Sequence, residues 1–138
     1  PMDAVFQSIL SGAPFLLLHA GVTIAMLVVG VTLYMWMTPY EDIGQIRAGN
    51  SAAGIALGGA ILGMAIPLAI TLRGSVNLWD IVLWGVLIVI LQMAVFKVMD
   101  LILKDLPKRI ENGEIGAAVL LSCAKISVGA INAAAIAV

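Results

Sequence analysis

Lys125 is the residue of this sequence with the clearest capacity for chemistry. It lies near the middle of Ile115–Val138, an apolar run long enough to cross a membrane. As a helix this run rises about 1.5 Å per residue, so Lys125 sits roughly 15 Å from Ile115, near the midplane of a bilayer core about 30 Å thick. An amine at that depth costs roughly 2.5–3.5 kcal/mol to insert and therefore needs a reason to be there. Both interfaces are beyond easy reach of its side chain. Asp80, Asp100 and Glu114 all fall near helix ends, so no acid shares its depth. The remaining options are a water-filled cavity, a neutral amine, or carbonyl and amide partners.

Ala118, Ser122, Lys125, Gly129 and Asn132 recur at three-or-four spacing and share one helix face. Such a face belongs against other helices or water, not lipid. Gln92 falls at about the depth of Lys125, and His19 at about that of Asn132. Lys125, Gln92, His19, Asn132 and Ser122 thus form a candidate polar track through the outer half of the bundle. It could pass protons, water or a small anion. The plainer alternative is interhelical glue, with His19 and Asn132 as satisfied packing residues. Catalytic patterns are missing from the sequence. There is no paired intramembrane carboxylate, no metal-ligand cluster around the lone His19, no phosphate loop, and no base at a credible spacing from a serine. The chain is therefore not expected to be an enzyme, and no cofactor or metal ion is expected.

The elements that must position these residues follow from composition. The 138 residues are 62% hydrophobic and 11% charged, with a mean hydropathy of +1.13. Soluble domains carry about 25% charged residues, so the expected fold is all-α and polytopic, a single membrane domain over residues 1–138 with membrane lipids around it. The length holds four spans and leaves no room for a soluble catalytic domain. A net charge of −1 gives no reason to expect nucleic acid binding. The lone cysteine, Cys123, reads as a small buried hydrophobe. Pro1 reads as the scar of a removed tag, and the first residues lack the basic start of a cleaved leader.

Val5, Phe6, Ile9 and Leu10 are apolar at helical spacing and either lie at the interface or extend the first span. The first crossing is expected over about Pro14–Met37, with Tyr34 and Trp36 in the aromatic belt and Thr38-Pro39 as the stop. A polar loop over Pro39–Asn50 leads to the second crossing, about Ser51–Leu72, in which Pro67 suggests a kink. Gly54, Gly58, Gly59 and Gly63 in that crossing, and Gly129 in the last one, read as packing glycines that let helix backbones approach. Arg73-Gly74-Ser75 reads as a tight turn before a third crossing at about Leu78–Met99. A second polar loop, Lys104–Glu114, precedes the last crossing. Arg47, Lys104, Lys108 and Arg109 lie in the two longer loops, against Arg73 alone on the other side, which places the loops in the cytoplasm and both termini outside.

A shift of 64 residues lays one half of the chain on the other. Gly21, Val22, Ile24, Leu27, Val31 and Met35 meet identical residues at Gly85, Val86, Ile88, Leu91, Val95 and Met99. Ile46, Gly49, Ala53, Leu57 and Ala60 meet Ile110, Gly113, Ala117, Leu121 and Ala124. Two parallel two-helix repeats, about 13–74 and 77–138, are expected, related by an axis along the membrane normal. Lys125, His19 and Gln92 correspond to Ile61, Leu83 and Val28, so the packing of the unit does not itself require the polar groups.

Thr38-Pro39, the Asn-x-Ala-Ala-Gly-Ile start at Asn50, the Leu-Gly-x-x-Ile-Pro-Leu centre and the Ile-Asn-Ala-Ala end resemble the bacterial inner-membrane family called domain of unknown function 350, the YjfL-like proteins. The resemblance covers nearly the whole chain. It implies a four-helix inner-membrane protein built from duplicated helical pairs, and it brings no functional residues with it. Two functions are expected to compete. One is an oligomeric channel or transporter for a proton or small solute. The other is an accessory or scaffold component in envelope maintenance that recruits a cytoplasmic protein partner. Two glycine faces lead to a homo-oligomer in either case.

Overall fold

The computed structural model describes residues 1–74 and 77–137. Four long helices, all long and apolar enough to cross a membrane, alternate with two short ones. They are α1 (Met2–Met37), α2 (Asp42–Arg47), α3 (Ser51–Gly74), α4 (Leu78–Leu103), α5 (Leu106–Glu111) and α6 (Ile115–Ala137). The architecture is an all-α membrane bundle. With four spans, α2 and α5 lie together at one end, here the loop end, and both termini lie at the other.

The helix boundaries have local causes. Thr38 is extended, at φ −72° and ψ 135°, as a residue before proline must be, and α1 stops there. The Asn50 side-chain oxygen accepts from Ala53 N at 3.3 Å and caps α3. Asn77 does the same for α4, accepting from Asp80 N at 3.1 Å. Gly49 and Gly113 hold φ of +91° and +83°, a turn that favours glycine, just before α3 and α6. The starts of α2 and α5, the two glycines, and the starts of α3 and α6 are each separated by 64 residues.

Three expectations are revised. α1 begins at Met2 rather than near Pro14, so the apolar residues Val5, Phe6, Ile9 and Leu10 extend the first span and Pro14 lies inside the helix. The polar loops each contain a six-residue helix. Cys123 is exposed rather than buried, since it faces away from the bundle, where lipid accepts an apolar side chain. Of the turn expected at Arg73-Gly74-Ser75, Arg73 and Gly74 are the last residues of α3, and Ser75 lies outside the described residues.

α3 is the central helix and packs most extensively against α6, with α1 and α4 on its other sides. The reason is legible in its small residues. A Cβ on Gly59 would lie 2.6 Å from Ser122 Cα, and one on Gly129 would lie 2.8 Å from Gly63 Cα. The α3–α6 crossing is therefore backbone against backbone, which only glycine permits in lipid. Gly54 and Gly58 lie off this crossing. A Cβ on Gly58 would meet nothing within 4 Å, and one on Gly54 only the Ile46 side chain at 4.0 Å.

Candidate functional site

Lys125 lies in the middle of α6 and is fully buried. Its Cα–Cβ bond leans toward the start of α6, as in every α-helix, so the side chain runs toward the loop end. There Nζ donates to Tyr34 Oη and, at 2.9 Å, to the Ala56 carbonyl. The ammonium lies 4.2 Å from the centroid of the Tyr34 ring and 5.7 Å from that of Phe96. The two rings meet edge to face, with centroids 5.8 Å apart. Hydroxyl, carbonyl and ring faces replace water around the charge, each favouring a cation.

Tyr34 is thus a partner of Lys125 and not a member of the interfacial belt. It is fully buried, whereas Trp36, two residues on, is 78% exposed. Helical phase separates them. Tyr34 lies one turn beyond Gly30 on the face that α1 turns inward, and Trp36 lies on the far side.

Below Tyr34 the chain folds a carboxylate under the bundle. Asp42, the first residue of α2, is only 4% exposed although it belongs to a loop in the sequence. Its Oδ1 accepts from Thr38 Oγ1 at 2.5 Å. The Thr38 hydroxyl also lies 2.7 Å from the Met35 carbonyl. Burial pushes the Asp42 carboxyl above the usual range, and the Thr38 hydrogen bond and the Lys125 charge pull it back. Asp42 thus lies buried at the loop end, toward which the Lys125 side chain runs, and not at the depth of the amine itself. Beside it Tyr40 is 7% exposed, and its hydroxyl is buried with no partner among the described residues. Burial first, and then the charge of Asp42, push that phenol up, so it is a neutral donor at any ordinary pH.

Gln92 is fully buried on α4. Its Nε2 donates to Gly63 O at 3.2 Å and to Lys125 O at 3.0 Å. The first of these bonds has a cause in sequence. Pro67 has no N–H, so the Gly63 carbonyl four residues earlier lacks its helical donor, and Gln92 supplies one. Gln92 therefore ties α4 to both members of the glycine crossing. Its Oε1 is buried without a partner among the described residues.

The remaining track residues are placed apart from this cluster. His19 is 8% exposed, stacks on Phe15 with ring centroids 3.8 Å apart, and pairs through Nδ1 with the Phe15 carbonyl at 3.0 Å. His19 thus pairs along its own helix and not with Asn132. Asn132 Nδ2 is buried with no partner among the described residues. Ser122 sits at the Gly59 crossing. The depth match of Gln92 and Lys125 is realised through the Lys125 backbone, while the amine turns the other way. Among the described residues no cluster of His, Cys, Asp and Glu could hold a metal ion.

At the loop end a single side chain joins the two polar loops. Asn50 Nδ2 donates to Ile110 O at 2.9 Å, Glu111 O at 3.2 Å and Gln45 Oε1 at 3.1 Å. Asp100 Oδ1 likewise accepts from Leu106 N at 3.0 Å and pins the start of α5 to the end of α4.

A family model described as Domain of Unknown Function (DUF350) matches residues 8–136. The chain is 30% identical over 111 residues to the UPF0719 inner membrane protein YjfL of Escherichia coli (strain K12), covering 80% of this chain and 84% of that one. The protein of the same name from Escherichia coli O157:H7 matches to the same extent. No solved structure matches. With four apolar helices and relatives of this kind, the chain is a multi-pass inner membrane protein and belongs to the DUF350 family.

Proposed function

We propose that this chain is a channel or transporter for protons, working as a homo-oligomer, with Lys125 as the site where the proton is held. One observation carries the reading: an amine buried in the middle of a membrane-spanning helix donates to a buried hydroxyl and to a backbone carbonyl. A structural role alone gives no reason to keep a charge there, since a well-packed apolar residue is often as stable. Tyr34 accepts a hydrogen bond from Lys125 and carries a proton of its own, so a proton taken from the ammonium by the hydroxyl oxygen is balanced by release of the hydroxyl's proton, which leaves a neutral amine and a neutral phenol. Thr38 and Asp42 continue polar groups toward the loop end. Gln92 Oε1 and Asn132 Nδ2 are further buried polar atoms without a partner among the described residues. The excess of basic residues in the two loops favours a cytoplasmic loop end with both termini outside.

The 64-residue spacing of helix starts and turn glycines supports two parallel repeats. In that arrangement the polar cluster lies where the units meet, since it draws Tyr34, Ala56 and Asp42 from one and Lys125 and Phe96 from the other.

The test is proton flux. Protein in liposomes carrying an internal pH-sensitive dye is given a potassium diffusion potential. The expected result is a flux above that of empty vesicles, abolished by Lys125→Met and reduced by Asp42→Asn. Flux equal to that of empty vesicles, or unchanged by Lys125→Met, would overturn the reading. A second reading, an accessory protein that recruits a cytoplasmic partner, rests on the exposed charges of the Lys104–Glu114 loop. Cross-linking from that loop that returns no protein but the chain itself would remove it.

A further inference from the structure

α1 is longer than the membrane needs. Its 36 residues span about 54 Å, against a bilayer core of about 30 Å. With Met37 at the loop end, roughly the first dozen residues stand beyond the other helices at the termini end. They are not polar. Met2, Phe6, Ile9, Ala13, Leu16 and Ala20 follow an alternating four-and-three spacing, the 3.5-residue repeat of a helix seam that faces a second helix. None of this seam is covered at its outer end, where Met2, Phe6 and Ile9 are 68%, 60% and 58% exposed.

The seam does not stop at the membrane. Ala20, Thr23 and Leu27 carry the same spacing into a groove whose other wall is Ala65, Ala69 and Leu72 of α3. The groove and the overhang are thus one continuous surface on one side of the molecule.

We propose that this surface is the contact between two copies of the chain, α1 against α1, related by a two-fold axis along the membrane normal. Two observations favour a second copy over a lipid surface. The segment from Met2 to Met37 contains no Lys or Arg, and Asp3 is its one acid, so it lacks the basic face of helices that lie on anionic headgroups. The area also suits a protein partner. Met2, Phe6, Ile9, Leu10, Leu16 and Leu17 are 58% to 71% exposed. Side chains of this size offer on the order of 100 Å² each, about 600 Å² per copy before the alanines and the groove add to it, against about 800 Å² per partner in a standard stable interface. A shared axis makes the contact self-complementary, so no further copies are needed to close it.

The inference deepens the oligomeric part of the proposed function and is tested without measuring flux. In the full chain carrying Cys123→Ser, single cysteines are introduced as Phe6→Cys, Ile9→Cys and Ser11→Cys and oxidised with copper phenanthroline in native membranes. Ser11 lies opposite the seam. The expected result is a cross-linked dimer at Phe6→Cys and Ile9→Cys at least ten-fold stronger than at Ser11→Cys. Absence of the dimer at both seam positions, or an equal yield at Ser11→Cys, overturns the proposal. Native mass spectrometry gives a second measurement. The wild-type chain is expected as a dimer or a multiple of it, and Phe6→Asp with Ile9→Asp as a monomer of unchanged helical content. A dimer that survives both aspartates overturns the proposal. So does a Phe6→Trp emission quenched by brominated lipid together with no Phe6→Cys cross-link, the result expected if the segment lies on the membrane. Loss of the cross-link in a chain that still shows Lys125-dependent flux would remove this interface and leave the relay standing.

Discussion

Tyr34→Phe is a substitution that removes one oxygen from the interior of the bundle and leaves the rest of the packing in place. The Phe ring fits where the Tyr ring lies, so the face 4.2 Å from Lys125 Nζ is retained. What is lost is the hydroxyl to which Nζ donates, and the amine is left with the Ala56 carbonyl at 2.9 Å as its hydrogen-bond partner among the described residues. A hydrogen bond to a charged group contributes about 1.5–3 kcal/mol, and a buried charge short of a partner is costly, so Tyr34→Phe should destabilise the bundle by about 2 kcal/mol. The Lys125→Met background reverses the logic. Met fills the same space without a charge and should by itself be neutral to within about 1 kcal/mol, because a buried charge replaced by an apolar residue loses its desolvation cost together with its partners. In that background the Tyr34 hydroxyl is the orphan, so removing it costs nothing or stabilises slightly. The double-mutant cycle should therefore show a coupling of about 2 kcal/mol, well above the few tenths expected of independent sites. Unfolding of the purified protein in mixed micelles, followed by helical circular dichroism against mole fraction of SDS, measures all four corners. A Tyr34→Phe cost that is the same in both backgrounds, within about 0.5 kcal/mol, would refute the claim that Lys125 depends on that hydroxyl.

Three further outcomes are expected. Gly63→Leu should prevent the α3–α6 crossing, because a Cβ at Gly63 would already lie 2.7 Å from the Lys125 carbonyl and from Gln92 Nε2; Gly58→Ala, into open space, should stabilise by up to about 1 kcal/mol in the same unfolding assay. Gln92→Leu should cost about 1–3 kcal/mol by leaving the Gly63 carbonyl without a donor, and about half of that in a Pro67→Ala background, where the helix regains its own N–H at position 67. The Asp42 carboxyl is raised by burial, so its folded state binds a proton more readily than its unfolded state. Its contribution is present in full below the ordinary carboxylate value of 3.8 and is lost as pH rises through the raised folded value. The wild-type unfolding midpoint should therefore fall across that window, and the Asp42→Asn midpoint should stay flat; equal slopes for the two chains would count against burial as the cause.

The sequence by itself determined what depends on local chemistry. Apolar runs longer than a bilayer require spans, and an amine at their centre requires a helix face turned inward. Hence the four helices, the burial of Lys125 and Gln92, and the match of Gly49 with Gly113 were all legible. The direction of the ammonium was legible in principle, from the lean of every helical side chain toward the helix start, and Tyr34 from its phase with Gly30. Tertiary structure decided what depends on which surfaces meet. Asp42 reads as a solvated loop charge until α2 folds beneath the bundle and buries it. Gly59 and Gly63 cannot be told from Gly54 and Gly58 by spacing, because both pairs satisfy the same pattern and only the rotation of α6 against α3 selects one. The reason is common to both cases. Periodicity fixes the residues that share a face, and the energy of a face is set only by the partner it finds.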